Sequence, residues 1–433
     1  MADIKRHSAF YAKVKINKVE LKQEEVKNIL MEFYLGNIMS KLILKINSNR
    51  REVIENSIVE MSIIDVEIGI TNDKNVVIDK KVGRYFLAKS YLKGQQGMPK
   101  AGDEYIEIIG ITDAYKYLGS PEIKALSTEE KSPVFLSKTS GEGSGARGTG
   151  TIKIEIKDNL TSSAHDKQFW MQNDQTGIET VNKTLARVVK TPESGGGGGK
   201  YNTNANEWVY TSCIDFTEEG LPVVYFYDVK LRARSFGIKS FKDGRKAFFS
   251  FKGESPTIVY RDAQLDIKGA DYSAKYWQRS SFAYDIEENT QWFRKTRHPY
   301  LFEDSAPYTD QMDFDGNGTI PSEMPIFRST QRMKHENYNT NMYSRYYVDQ
   351  KVQYAATMLS LRKINIKMTF MRDFFNITPI DICQIEYELG KQDEKSEPNK
   401  KLSGKYMVTH VAFEYDTESV NTYVVGSRDS WIK

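Results

Sequence analysis

KLSGKYMVTHVAFEYDTESVNTYVVGSRDSW, residues 401–431, is the stretch whose reading decides the fold. Leu402-Ser403-Gly404-Lys405-Tyr406 leads into YMVTHVAFEY (406–415), a run of β-branched and aromatic residues that suits a pleated, half-buried strand. A short turn separates it from a second strand at Thr422-Tyr423-Val424-Val425, and Arg428-Asp429-Ser430 closes the run. His410 stands between Thr409 and Val411 in the first strand. A satisfied structural imidazole is expected there rather than a catalytic base.

The same pattern recurs along the chain. FYAKVKIN (10–17), KLILKIN (41–47) and TIKIEIK (151–157) alternate apolar and polar residues with period two, giving each strand one dry and one wet face. VVYFY (223–227) and IKMTF (366–370) add further strands. One helix interrupts them: in TGIETVNKTLARVVKT (176–191), Ile178, Val181, Leu185 and Val188 fall three to four apart. Thr176 with Glu179 forms a capping-box pattern at its start. SRYYVDQKVQYAATMLSL (344–361) is a second, less amphipathic candidate. SGEGSGARGTG (140–150), PESGGGGGKYNTNAN (192–206) and KQDEKSEPNKKLSG (391–404) read as loops leaving a β-core.

Composition narrows the function classes. A chain of 433 residues has a prior of roughly three domains. A net charge of +3 with 27% charged residues is too balanced for a nucleic-acid binder, whose basic excess is clustered. Cys213 and Cys383 are the only cysteines, too few for a metal cluster or disulfide framework, and they point to a reducing site of assembly. The polar start MADIKRHSAF is no signal peptide, and no run approaches the ~20 apolar residues of a membrane span.

Nothing in the sequence supports catalysis. His7, His165, His298, His335 and His410 are scattered without HExxH spacing, and no GxSxG elbow occurs. Gly143, Gly145 and Gly148 satisfy a formal GxGxxG, but the strand follows the loop instead of preceding it, so a flexible loop is the better reading. DFDGNGTIPSE (313–323) begins as a calcium loop does, with Asp313, Asp315, Asn317 and the Thr319 carbonyl at alternate positions and Gly318 at the turn. Position 12 is Met324, Glu323 falls one residue early, and Pro321 and Pro325 oppose an exiting helix. The stretch is expected to be an Asx-type surface turn first. Asp313, Asp315, Asn317, Thr319 and Glu323 remain the calcium candidates; otherwise no cofactor is expected.

Two distant segments echo each other. MPKAGDEYIEIIGIT (98–112) and FFNITPIDICQIEYEL (374–389) each set a proline and a short carboxylate ahead of a strand. Together with the 401–431 run, the pattern "Pro-Gly-Asp, strand, Ser-Gly-x-Tyr, strand, turn, strand" resembles the baseplate hub proteins of contractile-tailed phages and the related hubs of injection-system spikes. Ile380 stands where that pattern has glycine. NANEWVYTSCIDFTEEGLPVVYFYD (204–228) resembles a further family passage, a tryptophan-bearing helix followed by an aromatic strand.

The resemblance implies a mainly β fold with a few helices (β+α): two tube-protein-like antiparallel β-barrels with inserted subdomains. The expected division is a first barrel at 1–120, an insert at 121–204, the start of the second barrel at 205–255, a second insert at 256–345, and the rest of the second barrel at 346–433. It implies a non-enzymatic virion protein, assembled in the host cytoplasm. As a homotrimer, such a hub joins a three-fold spike to a six-fold tail tube. Partners would be the spike, tube or tube-initiator proteins, other baseplate proteins and a tape measure protein, with no membrane span and no specific nucleic-acid binding. The last barrel strand lies close to Lys433, which favours a spike on a separate polypeptide. Two other readings compete, a calcium-dependent module binding a cell-surface polymer and the hub of a contractile injection or secretion system; a third, a tail-borne cell-wall hydrolase, has almost no residue support.

Overall fold

The computed structural model describes residues 9–47, 62–93, 105–115, 126–131, 153–156, 167–172, 176–186, 188, 209–234, 239–243, 258–260, 262–267, 278–285, 290–297, 301–302, 331–332, 354, 357–371, 375–387, 400–417 and 419–432. Strands dominate. The first group is β1 (Ala9–Ile16), β2 (Val19–Leu21), β3 (Val26–Tyr34), β4 (Lys41–Asn47), β5 (Ile63–Thr71), β6 (Val77–Lys93) and β7 (Tyr105–Thr112). A single 3-10 turn, Gln23–Glu25, bends β2 into β3. Pairing runs β2-β1-β5-β6-β7-β4-β3, so the bent β2/β3 strand returns the order to its start and closes a six-position barrel. Period-two patterning explains the interior. Val14, Ile16, Ile29, Met31, Leu42, Leu44, Ile64, Val66 and Ile108 are all buried, while their strand neighbours face outward. Each such side chain contributes ~1.5–3 kcal/mol on burial.

A middle group follows: β8 (Leu126–Lys131), β9 (Lys153–Ile156), β10 (Lys167–Gln172), helix α1 (Gly177–Leu185), β11 (Tyr210–Phe216), β12 (Pro222–Asp228) and the short helix α2 (Val229–Arg234). The α1 capping box forms as the sequence predicts: the Glu179 amide donates to Thr176 Oγ1 at 3.2 Å and the Thr176 amide to Glu179 Oε2 at 3.1 Å. The helix ends at Leu185, earlier than expected, with Val181 and Leu185 in the main core. Tyr210–Phe216 is a strand, not part of a helix, because its β-branched and aromatic residues pair antiparallel with β12 along seven positions.

The last group is β13 (Lys239–Asp243), β14 (Ile258–Tyr260), β15 (Asp262–Ile267), β16 (Gln278–Asp285), β17 (Thr290–Arg297), β18 (Gln331–Arg332), β19 (Ile364–Met371), β20 (Ile382–Ile385), β21 (Gly404–Asp416) and β22 (Val420–Arg428). β14 and β15 are separated by one residue; β14 pairs β13 while β15 pairs β19. The order β13-β14/β15-β19-β22-β21-β20-β13 closes a second barrel. In it, β13 runs parallel to both neighbours. Of the span 205–255, β13 is the described strand that pairs into this barrel; β11 pairs β12 and β12 pairs β9 in a separate sheet. The 256–345 span likewise supplies β14 and β15 to the barrel, and β16, β17 and β18 form a separate three-stranded sheet. Residues 357–360 are helical within the 344–361 candidate.

Number the six barrel positions by chain order and both barrels read 1-2-3-6-5-4 around the ring. The correspondence reaches single residues. Position five carries a bulge against position six at Ala88 in the first barrel and at Thr409 in the second. Three residues before each bulge is a fully buried tyrosine, Tyr85 or Tyr406. Opposite each bulge is a glycine, Gly110 or Gly426, with Tyr85 Cβ 3.1 Å or Tyr406 Cβ 3.2 Å from where a glycine Cβ would stand. Segments 98–112 and 374–389, which echo each other in sequence, lead into non-equivalent positions, six and four. The true counterpart of β7 is β22.

Candidate assembly interface

The two barrels are joined by β21. One of its edges pairs β22 along most of its length. The other pairs β20 only over Gly404–Met407, then pairs β3 of the first barrel from His410 to Asp416 against Tyr34 to Asn28. The bulge at Thr409 sits at this change of partner, and the Leu35 amide donates to the Thr409 carbonyl at 2.9 Å. Main-chain bonding thus runs unbroken from one barrel into the next, leaving neither edge open to stray pairing.

A strained turn guards the change of partner. In Thr378-Pro379-Ile380-Asp381 the Asp381 amide donates to the Thr378 carbonyl at 3.2 Å, and the Thr378 amide to Asp381 Oδ2 at 3.0 Å. Ile380 has φ +87°, the value a type II turn demands at its second central position and a β-branched residue resists. Its amide bonds the Val408 carbonyl at 2.7 Å, and the Val408 amide bonds the Asp381 carbonyl at 2.8 Å. Isoleucine holds the glycine conformation here because its side chain is buried in one apolar cluster with Leu35, Ile382 and Met407. Strain of ~1–3 kcal/mol is matched by burial worth ~1.5–3 kcal/mol.

Both faces of the seam are filled. On the core side, Phe413 meets Phe33 edge-on at 5.9 Å and Phe375 at 5.6 Å. On the opposite side the His410 ring lies parallel to Tyr34 at 4.2 Å, and the Tyr34 hydroxyl donates to Glu32 Oε1 at 2.9 Å. Burial and that bond push the Tyr34 hydroxyl up to about 12. His410 Nε2 is 3.7 Å from the same carboxylate oxygen and has no hydrogen-bond partner among the described residues, so this ring nitrogen is not satisfied as the sequence reading expected. Burial pushes its pKa down, against the upward pull of Glu32. Glu414 spans three strands, accepting from Asn28 Nδ2 at 3.0 Å and from the Tyr423 hydroxyl at 2.6 Å.

A charged pin fastens the middle sheet to the seam. Lys81 Nζ on β6 lies 2.6 Å from Asp215 Oδ1 on β11, with the Phe33 and Phe413 rings 5.1 and 5.3 Å from the ammonium. At the far end of β22, fully buried Arg428 donates to the Ser430 and Lys405 carbonyls at 2.9 and 2.7 Å and covers the Phe302 ring. Asp429 Oδ2 accepts from the Leu301 amide at 2.7 Å. The closing Arg428-Asp429-Ser430 run therefore fixes the Leu301–Phe302 segment to the second barrel.

Asp313, Asp315, Asn317, Thr319 and Glu323 lie outside the described residues, as do Gly143, Gly145 and Gly148. Among the described residues no group of three or more His, Cys, Asp or Glu is placed to hold a metal, and no helix is long and apolar enough to cross a membrane. Cys213 and Cys383 are buried free thiols. Sequence reading missed Lys81, Asp215, Glu32 and Tyr34. The paired Gly-x-x-Asp runs, Gly110–Asp113 and Gly426–Asp429, are the signal that could have aligned the barrels.

No protein-family model matches the chain, and no curated protein matches it in sequence. Solved structures do. A tail protein from Neisseria meningitidis MC58 aligns over 97% of both chains at 9% identity with a TM-score of 0.51. The 43 kDa tail protein of prophage MuSo2 from Shewanella oneidensis aligns over 98% of this chain and 100% of its own, at 8% identity and a TM-score of 0.51. At such identity the likeness is one of fold. The mainly β architecture of two tube-like barrels is that of phage tail proteins, the fold to which the resemblance to baseplate hubs pointed.

Proposed function

We propose that the protein is the central hub of a contractile phage tail baseplate: a homotrimer whose six barrels form a ring between a three-fold spike and the six-fold tail tube. One observation carries this reading. Two barrels of the same strand order are joined edge to edge within one chain by β3 and β21, which is the repeat a pseudo-six-fold ring of three chains needs. The role is structural. Lys81, Asp215, Arg428 and His410, charged or titratable groups at the seam and around it, pack between elements and help hold them together. Partners in this reading are the spike below, tube or tube-initiator proteins above, and neighbouring baseplate proteins, with the virion as location. Native mass spectrometry of the purified protein, alone and mixed with a spike protein from the same genome, tests the proposal. A three-chain species is expected; a monomer under both conditions overturns it.

A further inference from the structure

Within the chain, position five of the second barrel (β21) pairs position two of the first (β3). Repeating that contact around a ring calls for position five of the first barrel, β6, to meet position two of the second barrel, β15, of another copy. Both edges stand ready. β6 pairs β5 only as far as Phe86, so beyond the bulge at Ala88 its edge toward β5 has no partner strand among the described residues. β15 pairs β19 on one side, and no strand pairs its other edge among the described residues. Ala88, Lys89, Ser90 and Tyr91 are exposed, as are Asp262, Gln264 and Ile267. Tyr91 and Ile267 are 42% and 39% exposed, unusual for large side chains on strands whose in-chain counterparts, Ala412 and Phe33, are 3% and 2% exposed.

We infer that β6 beyond Ala88 pairs antiparallel with β15 of a second copy of this chain, an interface that rests on the ring reading above. The register follows from the in-chain seam. The bulges align Lys89 with His410, and the pairings of Gly110 and Gly426 align Met31 with Leu265. Val411 opposite Phe33 then becomes Ser90 opposite Ile267, and Ala412 opposite Glu32 becomes Tyr91 opposite Asp266. The side-chain chemistry suits this register, which sets the Lys89 ammonium beside the Asp266 carboxylate. His410 sits diagonal to Glu32 at 3.7 Å, and Lys89 falls diagonal to Asp266 in the same relation. A pair of complementary edges left unpaired among the described residues is a liability unless a partner strand closes it.

The test uses full-length chains. Tyr91→Cys and Asp266→Cys proteins are made separately, mixed, oxidised and run under denaturing conditions beside each variant alone. Native mass spectrometry gives the oligomeric state. A covalent two-chain band in the mixture, absent from either variant alone, is the expected result. Mixing Tyr91→Cys with Gln264→Cys, two residues out of register, should give at least several-fold less. Multimers without the in-register band overturn the β6–β15 pairing while leaving the ring reading intact. A monomer at every concentration, with no band, overturns both.

Discussion

The two barrels share strand order, bulge, tyrosine and glycine, yet they differ in what lies against their edges and interiors. In the second barrel, position five is covered by β3; in the first, the same stretch is exposed. Where the first barrel has Thr112, which exchanges hydrogen bonds with Ser40 at 2.7 and 3.0 Å, the second has Arg428, reaching the Lys405 and Ser430 carbonyls. Counting back from the bulges, Lys81 of the first barrel corresponds to Leu402 of the second, and both are buried. What is kept is the geometry that bends position five; what changes is the chemistry by which each barrel fastens a neighbouring element, β11 through Asp215 in the first and the Leu301–Phe302 segment through Arg428 and Asp429 in the second. One strand order thus carries two different sets of edge and interior contacts.

Transplanting residues between equivalent positions breaks this comparison most directly. Lys81→Leu imports the second barrel's residue but strands Asp215 without its cation in a largely buried site. Loss of such a partner costs ~3–5 kcal/mol, read as a lower denaturant midpoint. Adding Asp215→Leu should recover most of that loss; no recovery would mean the pin contributes through packing alone. Arg428→Thr imports the first barrel's residue and removes the donors to two buried carbonyls and the cover over Phe302. A loss of ~2–4 kcal/mol is expected, with faster proteolysis near residues 301–302. The glycines give a smaller effect. Gly110→Ala sets its methyl 3.1 and 3.2 Å from the Cβ atoms of Tyr85 and Leu42, which move only with the backbone. Gly426→Ala meets Ile385 Cδ1, the movable end of a side chain, at 2.8 Å and one backbone-tied atom, Tyr406 Cβ, at 3.2 Å. Overpacking costs ~1–3 kcal/mol, and Gly110→Ala should be the costlier of the two.

Much of the β architecture was legible because period-two alternation needs only local residues. KLILKIN lies in β4, where alternate side chains are buried, whereas the β-branched and aromatic 406–415 run lies in β21, buried on both faces over most of its length. The α1 start was legible because Thr176 and Glu179 act within one turn. The seam was not. That β21 leaves β20 for β3 depends on a bulge at Thr409 and a positive φ at Ile380, neither of which has a composition signature. The Lys81–Asp215 pin joins residues far apart in the chain, and an alternating Lys on a strand reads as solvent-facing until its aromatic neighbours are known. The echo of 98–112 with 374–389 misled for a related reason: a proline and a carboxylate before a strand mark a turn, not a position in a ring.

The smallest effect separates the two position-five strands by pH. His410 and Lys89 occupy equivalent sites, but only His410 is packed into a seam, between Tyr34 and Glu32. Its pKa is lowered by burial from an ordinary 6.5, so the unfolded chain binds the proton more readily than the folded one. The stability this neutral imidazole brings is therefore present above pH 6.5 and is lost as pH falls through the folded value. Denaturant midpoints measured from pH 7.5 down to 5.5 should decline more steeply for the natural protein than for His410→Gln, which cannot titrate. Equal slopes would mean that the nearby Glu32 carboxylate offsets burial fully. In that case protonation would not distinguish the covered edge from the open one.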